Sequence, residues 1–523
     1  MTKSSPTAKD GLRFDWYPPL DADFIDDLAA KVIATIEGSR ASTRGISKEK
    51  AEQGRQIRLV IAKHVLSALY SAQHALTKKK RPTRVSVMKT TSMFSGSKRD
   101  PTKIPYSFRH FMAVYNALIS LKWINEDLGK EAKGYTRIYA INKLKATFKA
   151  VGLRWLKQQP MAREELIVLR DRVEKNPKKA LHHKAPKKYK KITLETPDTP
   201  AVAVMADTLY KYNEFLTTHC VSMNLLDNKL YEVVKSLADN SKSDEETEEE
   251  NFVDLDLSRV QLRRIFSRAD MTKGGRFYNG WWQSIPSIYR GHITIDGLKT
   301  TEVDYSNMSL RIIYAQKGIY RDPNEDLYDI KLDGWTGSDD PRRTYIKTFI
   351  NALMNDDEGT YKLSKAKQKL LGLTHQELKA KVLEEHKLIA DKLTSGVGLN
   401  TQFLDSQIAE LVMTSMMEDE ILALPIHDSF RVRSGYRQWL ETTMKAAFEK
   451  IVGGLVSVDA DGSRLEKHFG MSKEQFKWED DKQITNPSED IYSFADLSFD
   501  ALFKKTLMKS YIGGWETWRS KNT

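Results

Sequence analysis

One cysteine in 523 residues, Cys220, leaves no partner for an internal disulfide and rules out a zinc site built on several thiolates. Long apolar runs are also missing, since no stretch approaches the roughly 18 residues that a membrane span needs. The start, Met1 to Pro6, leads into polar sequence without the apolar core of a secretory signal. These absences predict an intracellular, cytoplasmic protein with no membrane partner. Acidic charge is in deficit: 83 Lys and Arg face 70 Asp and Glu, a formal net charge of +13. The large acidic partner expected of such a surface is nucleic acid. A hydrophobic share of 40% and a charged share of 29% suit a folded chain, and this length predicts two or three domains.

Residues 1–20 lack periodicity and read as a loose arm. Asp21 to Glu37 and Lys48 to Leu76 read as helices, the second with Ile57, Val60, Ile61, His64, Val65 and Ala68 along one face. The run Lys78 to Arg84, broken by Pro82, is either a solvated loop or a phosphate-contacting or targeting segment. From Tyr106 to Leu121, Phe108, Phe111, Met112, Tyr115 and Leu118 recur at helical spacing. Lys122 to Ile124 reads as a short strand, Asp127 to Gly134 as a polar turn, Tyr135 to Ala140 as a returning strand, and Asn142 to Val151 as a basic helix. Helix, hairpin with a charged tip, then helix resembles a winged helix. In that family the helix before the wing enters the major groove and wing residues reach phosphates. The resemblance makes Arg109, Lys133, Arg137, Lys143 and Lys145 candidate DNA contacts; protein docking is the competing use of such a module. Lys178 to Lys191, between breaks at Pro177 and Pro186, reads as a basic linker. Leu209 to Leu237 reads as an amphipathic helix, and Ser241 to Glu250 as a solvated acidic linker marking a boundary.

Beyond the linker, Gly274 to Pro286 is rich in glycine and aromatics. It reads as a loop packed close to a substrate, where aromatics stack on bases. Thr300 to Gln316 opens as a strand ending in Val303, places Asp304 where the apolar run stops, and continues as a helix through Met308, Ile312 and Ala315. Asp304 is there either a helix N-cap or a carboxylate holding a metal at a sheet edge. In Pro341 to Asn355, the residues Arg343, Lys347, Asn351 and Asn355 stand four apart on one helix face, leaving Ile346, Phe349, Ile350 and Leu353 to pack. That is either an ordinary amphipathic helix or a cationic ridge for a triphosphate. Asn400 to Val412 reads as a further helix. Ile421 to Val432 reads as a β-hairpin turned at His427 and Asp428, where a tight turn alone accounts for an Asp.

Together these segments, over about residues 260–450, resemble the A-family polymerases: the Pol I-like DNA polymerases and the phage single-subunit RNA polymerases. Asp304-Tyr305-Ser306 with Leu310-Arg311 resembles motif A, Arg343 and Lys347 motif B, and His427-Asp428 motif C. Gln283 to Pro286 resembles the Gln-Asn-Ile-Pro segment ahead of motif A. The resemblance implies an α+β chain: a mainly helical, winged-helix-like region at 1–160, a thumb-like stretch of linkers and helices at 161–250, and a right-hand palm and fingers with an antiparallel sheet at 251–523. It implies two Mg²⁺ or Mn²⁺ ions on Asp304 and Asp428, with the Tyr305 carbonyl as a further ligand. Arg343 and Lys347 would neutralise the triphosphate. His427 has either a part in placing the primer end or a structural one, and Gln283 joins the nucleic-acid contacts. The implied partners are a DNA template and primer and nucleoside triphosphates.

The departures are specific. Ser309 stands where the DNA polymerases carry a Glu that crowds the sugar 2′ position. Asn351 and Asn355 replace an aromatic and a tyrosine, and motif C ends in Ser429, as in the phage RNA polymerases. The smaller gate predicts tolerance of ribonucleotides. No acidic constellation before residue 250 resembles a proofreading exonuclease. Primer synthesis for a mobile element's replication fits these features, with location at a nucleoid if the chain is bacterial or phage-encoded. Two other readings stay open: a DNA-binding replication initiator with a polymerase-like scaffold, and a template-independent nucleotidyltransferase.

Overall fold

The computed structural model describes residues 12–13, 19–39, 47–74, 84–88, 94, 106–127, 135–151, 158–174, 189–223, 232–237, 255, 257, 259–296, 298–337, 340–356 and 361–460. Lys133, most of the basic run at 78–84 and the acidic run at 241–250 lie outside them.

At the N-terminal end, helices α1 (Asp23–Gly38), α2 (Lys48–His74), α3 (Phe108–Ser120) and α4 (Asn142–Val151) bury their apolar faces together. They share that core with strands β2 (Val85–Met88), β3 (Ile124–Asp127) and β4 (Tyr135–Ala140), and β1 (Leu12–Arg13) pairs with β2 in a sheet of order β1-β2-β4-β3. The Ser107 side chain caps α3 by accepting from the His110 amide, which satisfies one of the orphan donors of the first turn. Phe111, Val114, Tyr115 and Leu118 of α3 face inward, as their spacing predicts.

The rest is a mixed α/β structure on two sheets. One has the order β6-β5-β8-β9, formed by β5 (Ile167–Glu174), β6 (Tyr189–Leu194), β8 (Arg263–Ser267) and β9 (Asp270–Tyr278). The other has the order β12-β13-β11-β10-β7, with β14 against the far side of β11. Its strands are β7 (Val221–Met223), β10 (Ile293–Ile295), β11 (Leu298–Tyr305), β12 (Leu424–Ile426), β13 (Ser429–Arg433) and β14 (Val458–Ala460). Helices α5 (Pro200–Leu216), α8 (Gly398–Glu418) and α9 (Arg437–Val452) pack on these sheets, while α6 (Met308–Ala315) and α7 (Arg343–Asn355) share a second core with residues 327–332 and 363–397. Arg264 ties α8 to the β8–β9 hairpin by donating to Glu410 and Ser406, and Arg276 does so through Asp405.

The register of β11 on β13 decides where the opening motifs land. Glu302 pairs directly with Arg431, and their buried side chains bond at 3.1 Å. A one-residue slip would turn every side chain of β11 to the opposite face and leave this charge unpaired.

Three expectations are corrected. Leu209 to Leu237 is not one helix: α5 ends at Leu216, β7 follows as an edge strand, and residues 232–237 are helical. The Thr217 and Thr218 hydroxyls bond back to the Glu214 and Phe215 carbonyls, and the Cys220 amide is taken by Asp296 of the next hairpin. Gly274 to Pro286 is not a substrate loop. Gly274 and Gly275, at φ +75° and +77°, accommodate a bulge in β9, and Trp281 and Trp282 are fully buried core side chains. The basic linker expected to run to Lys191 gives way at Tyr189 to strand β6, paired along β5.

Candidate functional site

Asp304 lies inside β11, four residues before α6 begins; the N-cap position is held by Asn307, so Asp304 is not a helix cap. The β11–β13 pairing sets Asp304 opposite Ser429, and the Tyr305 amide donates to the Asp428 carbonyl at 3.4 Å. Asp304, on β11, and Asp428, in the turn that leads into β13, are therefore neighbours. On its other side Asp304 pairs with Asp459 of β14, whose carboxylate accepts from the Ser306 hydroxyl at 2.5 Å.

Asp428 sits in the two-residue turn between β12 and β13. His427, the first turn residue, has φ +57°, a left-handed conformation that a β-carbon disfavours. Such strain persists where the surroundings over-determine it, and here they do. Trp282 and Gln283 both donate to the Pro425 carbonyl just before the turn, and the His427 ring lies 6.2 Å from that of Tyr278.

Across from the carboxylates stands α7. Arg343 and Lys347 lie one turn apart, with the Arg343 guanidinium 5.2 Å and the Lys347 ammonium 5.8 Å from the centre of the Tyr328 ring. Tyr328 is buried between the two sets of charges. Burial, with the negative charges of Asp428 and Asp304, pushes its phenol above the ordinary value, against the opposing pull of Arg343. Arg343 is gripped by Asp326 in a two-point bond, Nε to Oδ2 at 2.7 Å and Nη2 to Oδ1 at 2.9 Å.

A buried wall completes the floor. Arg276 of β9 bonds Asp405 of α8 at 2.5 Å, inside the protein. Burial pushes the Asp405 carboxyl up to about 6 against the pull of Arg276, and the charge of Asp428 adds to the rise. The Tyr305 hydroxyl is spent on the Met444 carbonyl, which leaves only its backbone on the site side of the sheet.

The structure thus brings Asp304, Tyr305, Asp428, His427, Arg343 and Lys347 to one place. Ser309, half-buried, is the second residue of α6 behind Asp304. Asn351 and Asn355 continue the α7 face away from Tyr328, and a β-carbon on Gly398 at the start of α8 would strike Asn355. Gln283 is buried, with its amide on the Phe277 and Pro425 carbonyls and its oxygen accepting from Gly280. Arg109, Lys143 and Lys145 are exposed on α3 and α4, and Arg137 is half-buried on β4. Arg276, Asp326, Tyr328, Asp405 and Asp459 belong to the site without having been singled out in the sequence. No periodicity or motif joins them, because each reaches the site from its own element.

No protein-family model matches this chain, and no curated protein does. Among solved structures, the polymerase domain of Pol1 from M. smegmatis, in complex with DNA primer-template and dNTP, is similar with a TM-score of 0.29 and 14% identity. That similarity covers 46% of this chain and 52% of the other, about half of each.

Proposed function

We propose that this chain is a template-directed nucleic-acid polymerase of the A-family type, acting by nucleotidyl transfer with two Mg²⁺ or Mn²⁺ ions. One observation carries the reading: two neighbouring carboxylates, Asp304 on β11 and Asp428 in the β12–β13 turn, face two cations one helical turn apart, Arg343 and Lys347, across the buried ring of Tyr328. Asp304, Asp428 and the Tyr305 carbonyl form the donor set that would hold the ions. Few carboxylates suit Mg²⁺, whose remaining positions go to water and substrate phosphates. Among the described residues no group of three or more His, Cys, Asp and Glu is placed to hold a metal. When bound, the ions would activate the attacking 3′-oxygen and neutralise the leaving pyrophosphate.

The chain's own residues supply the rest. Arg343 and Lys347 bind and orient the triphosphate, so that charge developing on it meets groups already in position. His427, held by its strained turn against Tyr278, would meet the primer end in this proposal. Ser309 leaves space at the sugar, so ribonucleotides are accepted, and nothing in the reading provides proofreading. In this reading β11 to β14 form the palm and α7 belongs to the fingers. The N-terminal region is a winged helix, supported by the strand order β2-β4-β3 with α3 before the hairpin. Arg109, Arg137, Lys143 and Lys145 contact DNA there.

Extension of a labelled primer, with and without template, by wild type and Asp304→Asn tests the proposal. Template-dependent extension that falls at least about a thousandfold in the variant is expected. No extension under any metal or nucleotide condition favours an initiator with a polymerase-like scaffold, and equal extension without template favours a tailing enzyme.

A further inference from the structure

The loop between α6 and α7 is fastened from below by one side chain. Arg311 of α6 is 4% exposed, yet among the described residues no carboxylate bonds it. Its guanidinium donates instead to backbone carbonyls: Ser306 at 3.0 Å, Asp322 at 2.9 Å, Pro323 at 2.9 Å and Glu325 at 2.8 Å. Asn307 adds a bond to the same Glu325 carbonyl at 3.3 Å. The next residue is Asp326. Its Oδ1 also accepts from the Tyr328 amide at 3.1 Å, so the carboxylate is fixed at its backbone and at its head.

Arg343 meets this carboxylate through Nε and one Nη2 hydrogen only. A guanidinium carries five N–H groups in a rigid fork, and a side-on pair uses one edge. The Nη1 edge is left for a second anion, and the plane is held at the Tyr328 ring beside Lys347.

We propose that Asp326 is a positioning residue for triphosphate binding: with Arg311 fastening its loop, it holds one edge of Arg343 so that the other edge is presented with Lys347 to the substrate polyphosphate. This rests on the polymerase reading of the same site. The sign of the effect distinguishes positioning from competition. A carboxylate beside an anion site repels the anion, so removing a mere competitor tightens binding. Removing a positioner loosens it, because Arg343 must then be ordered at the moment of binding.

The test measures binding of a fluorescent nucleoside triphosphate to the full chain, with KM and kcat for primer extension alongside. Asp326→Asn is expected to weaken binding and raise KM about tenfold, with kcat within about twofold. Asp326→Glu is expected to recover part of the loss. On an Arg343→Ala background, Asp326→Asn is expected to add nothing, since the residue acts through Arg343. Tighter or unchanged binding by Asp326→Asn, while Arg343→Ala weakens it, overturns the proposal and leaves the polymerase reading standing. An equal penalty on the Arg343→Ala background also overturns it. Wild type that binds no triphosphate overturns both.

Discussion

Replacing Arg431 by Met probes the bond that sets the site's register. Arg431 is 1% exposed and donates to the Thr300 carbonyl at 3.2 Å, the Thr300 hydroxyl at 2.9 Å and Glu302 at 3.1 Å. Glu302 also accepts from Arg290 at 3.1 Å and Ser429 at 2.8 Å. Removing one partner of a buried ion pair typically costs about 3–5 kcal/mol, because the other charge stays behind without it. Here Arg290 remains, so the expected loss for Arg431→Met is about 2–4 kcal/mol. Glu302→Met with Arg431→Met removes both charges, and the double variant is expected to lose less than the single one. The effect has a pH signature. Burial pushes the Glu302 carboxyl up, but Arg431 and Arg290 outweigh it and hold it below its ordinary value of 4.5. A carboxylate lowered in the folded state stabilises fully above its unfolded value and loses that stabilisation as pH falls through the folded one. The gap between wild type and Arg431→Met should therefore be full at pH 7 and shrink below about pH 4.5. Urea unfolding of the three proteins across this range measures it. A loss under about 1 kcal/mol, a double variant as unstable as the single one, or a gap that persists in acid would refute the reasoning.

Three further outcomes are expected. His386 is buried against the Tyr314 hydroxyl, and burial lowers its pKa from 6.5 to about 4; stability is full above 6.5 and falls as the unfolded chain takes up the proton, so about 2 kcal/mol should vanish between pH 7 and 5 in denaturation curves of wild type but not of His386→Gln. Gly275→Ala places a β-carbon 2.8 Å from the Phe266 ring and 3.0 Å from the Ser406 hydroxyl at φ +77°, and a loss of about 2–3 kcal/mol is expected in the same assay. Ser309→Glu refills the sugar gate and should lower ribonucleotide incorporation at least about tenfold relative to deoxyribonucleotides; an unchanged ratio in parallel extensions would remove Ser309 from sugar selection.

The helices were legible where apolar spacing stood between clear stop signals. Asn142 to Val151 has the expected bounds, and α3 lies within two residues of its own. The segment at 209–237 misled because its apolar residues satisfy a helical period while Val221 to Met223 are drawn into pairing with β10. Propensity cannot report a partner strand 70 residues away. Trp281 and Trp282 failed for a related reason: aromatics beside glycines look alike whether they stack on a base or fill a core, and only burial separates the two uses.

Asp304 shows both sides of the division. By itself the chain determined that a carboxylate stands between a strand and a helix there, that Arg343 and Lys347 share one helix face, and that His427-Asp428 turns a hairpin. Those are local facts, carried by the two-residue period of strands and the 3.6-residue period of helices. Tertiary structure decided that Asn307 rather than Asp304 caps α6, that Asp304 and Asp428 are neighbours, and that Asp326 and Asp405 hold the site's arginines. Each of these joins residues distant in the chain, and long-range pairing is set by register and burial, which no local window of sequence contains.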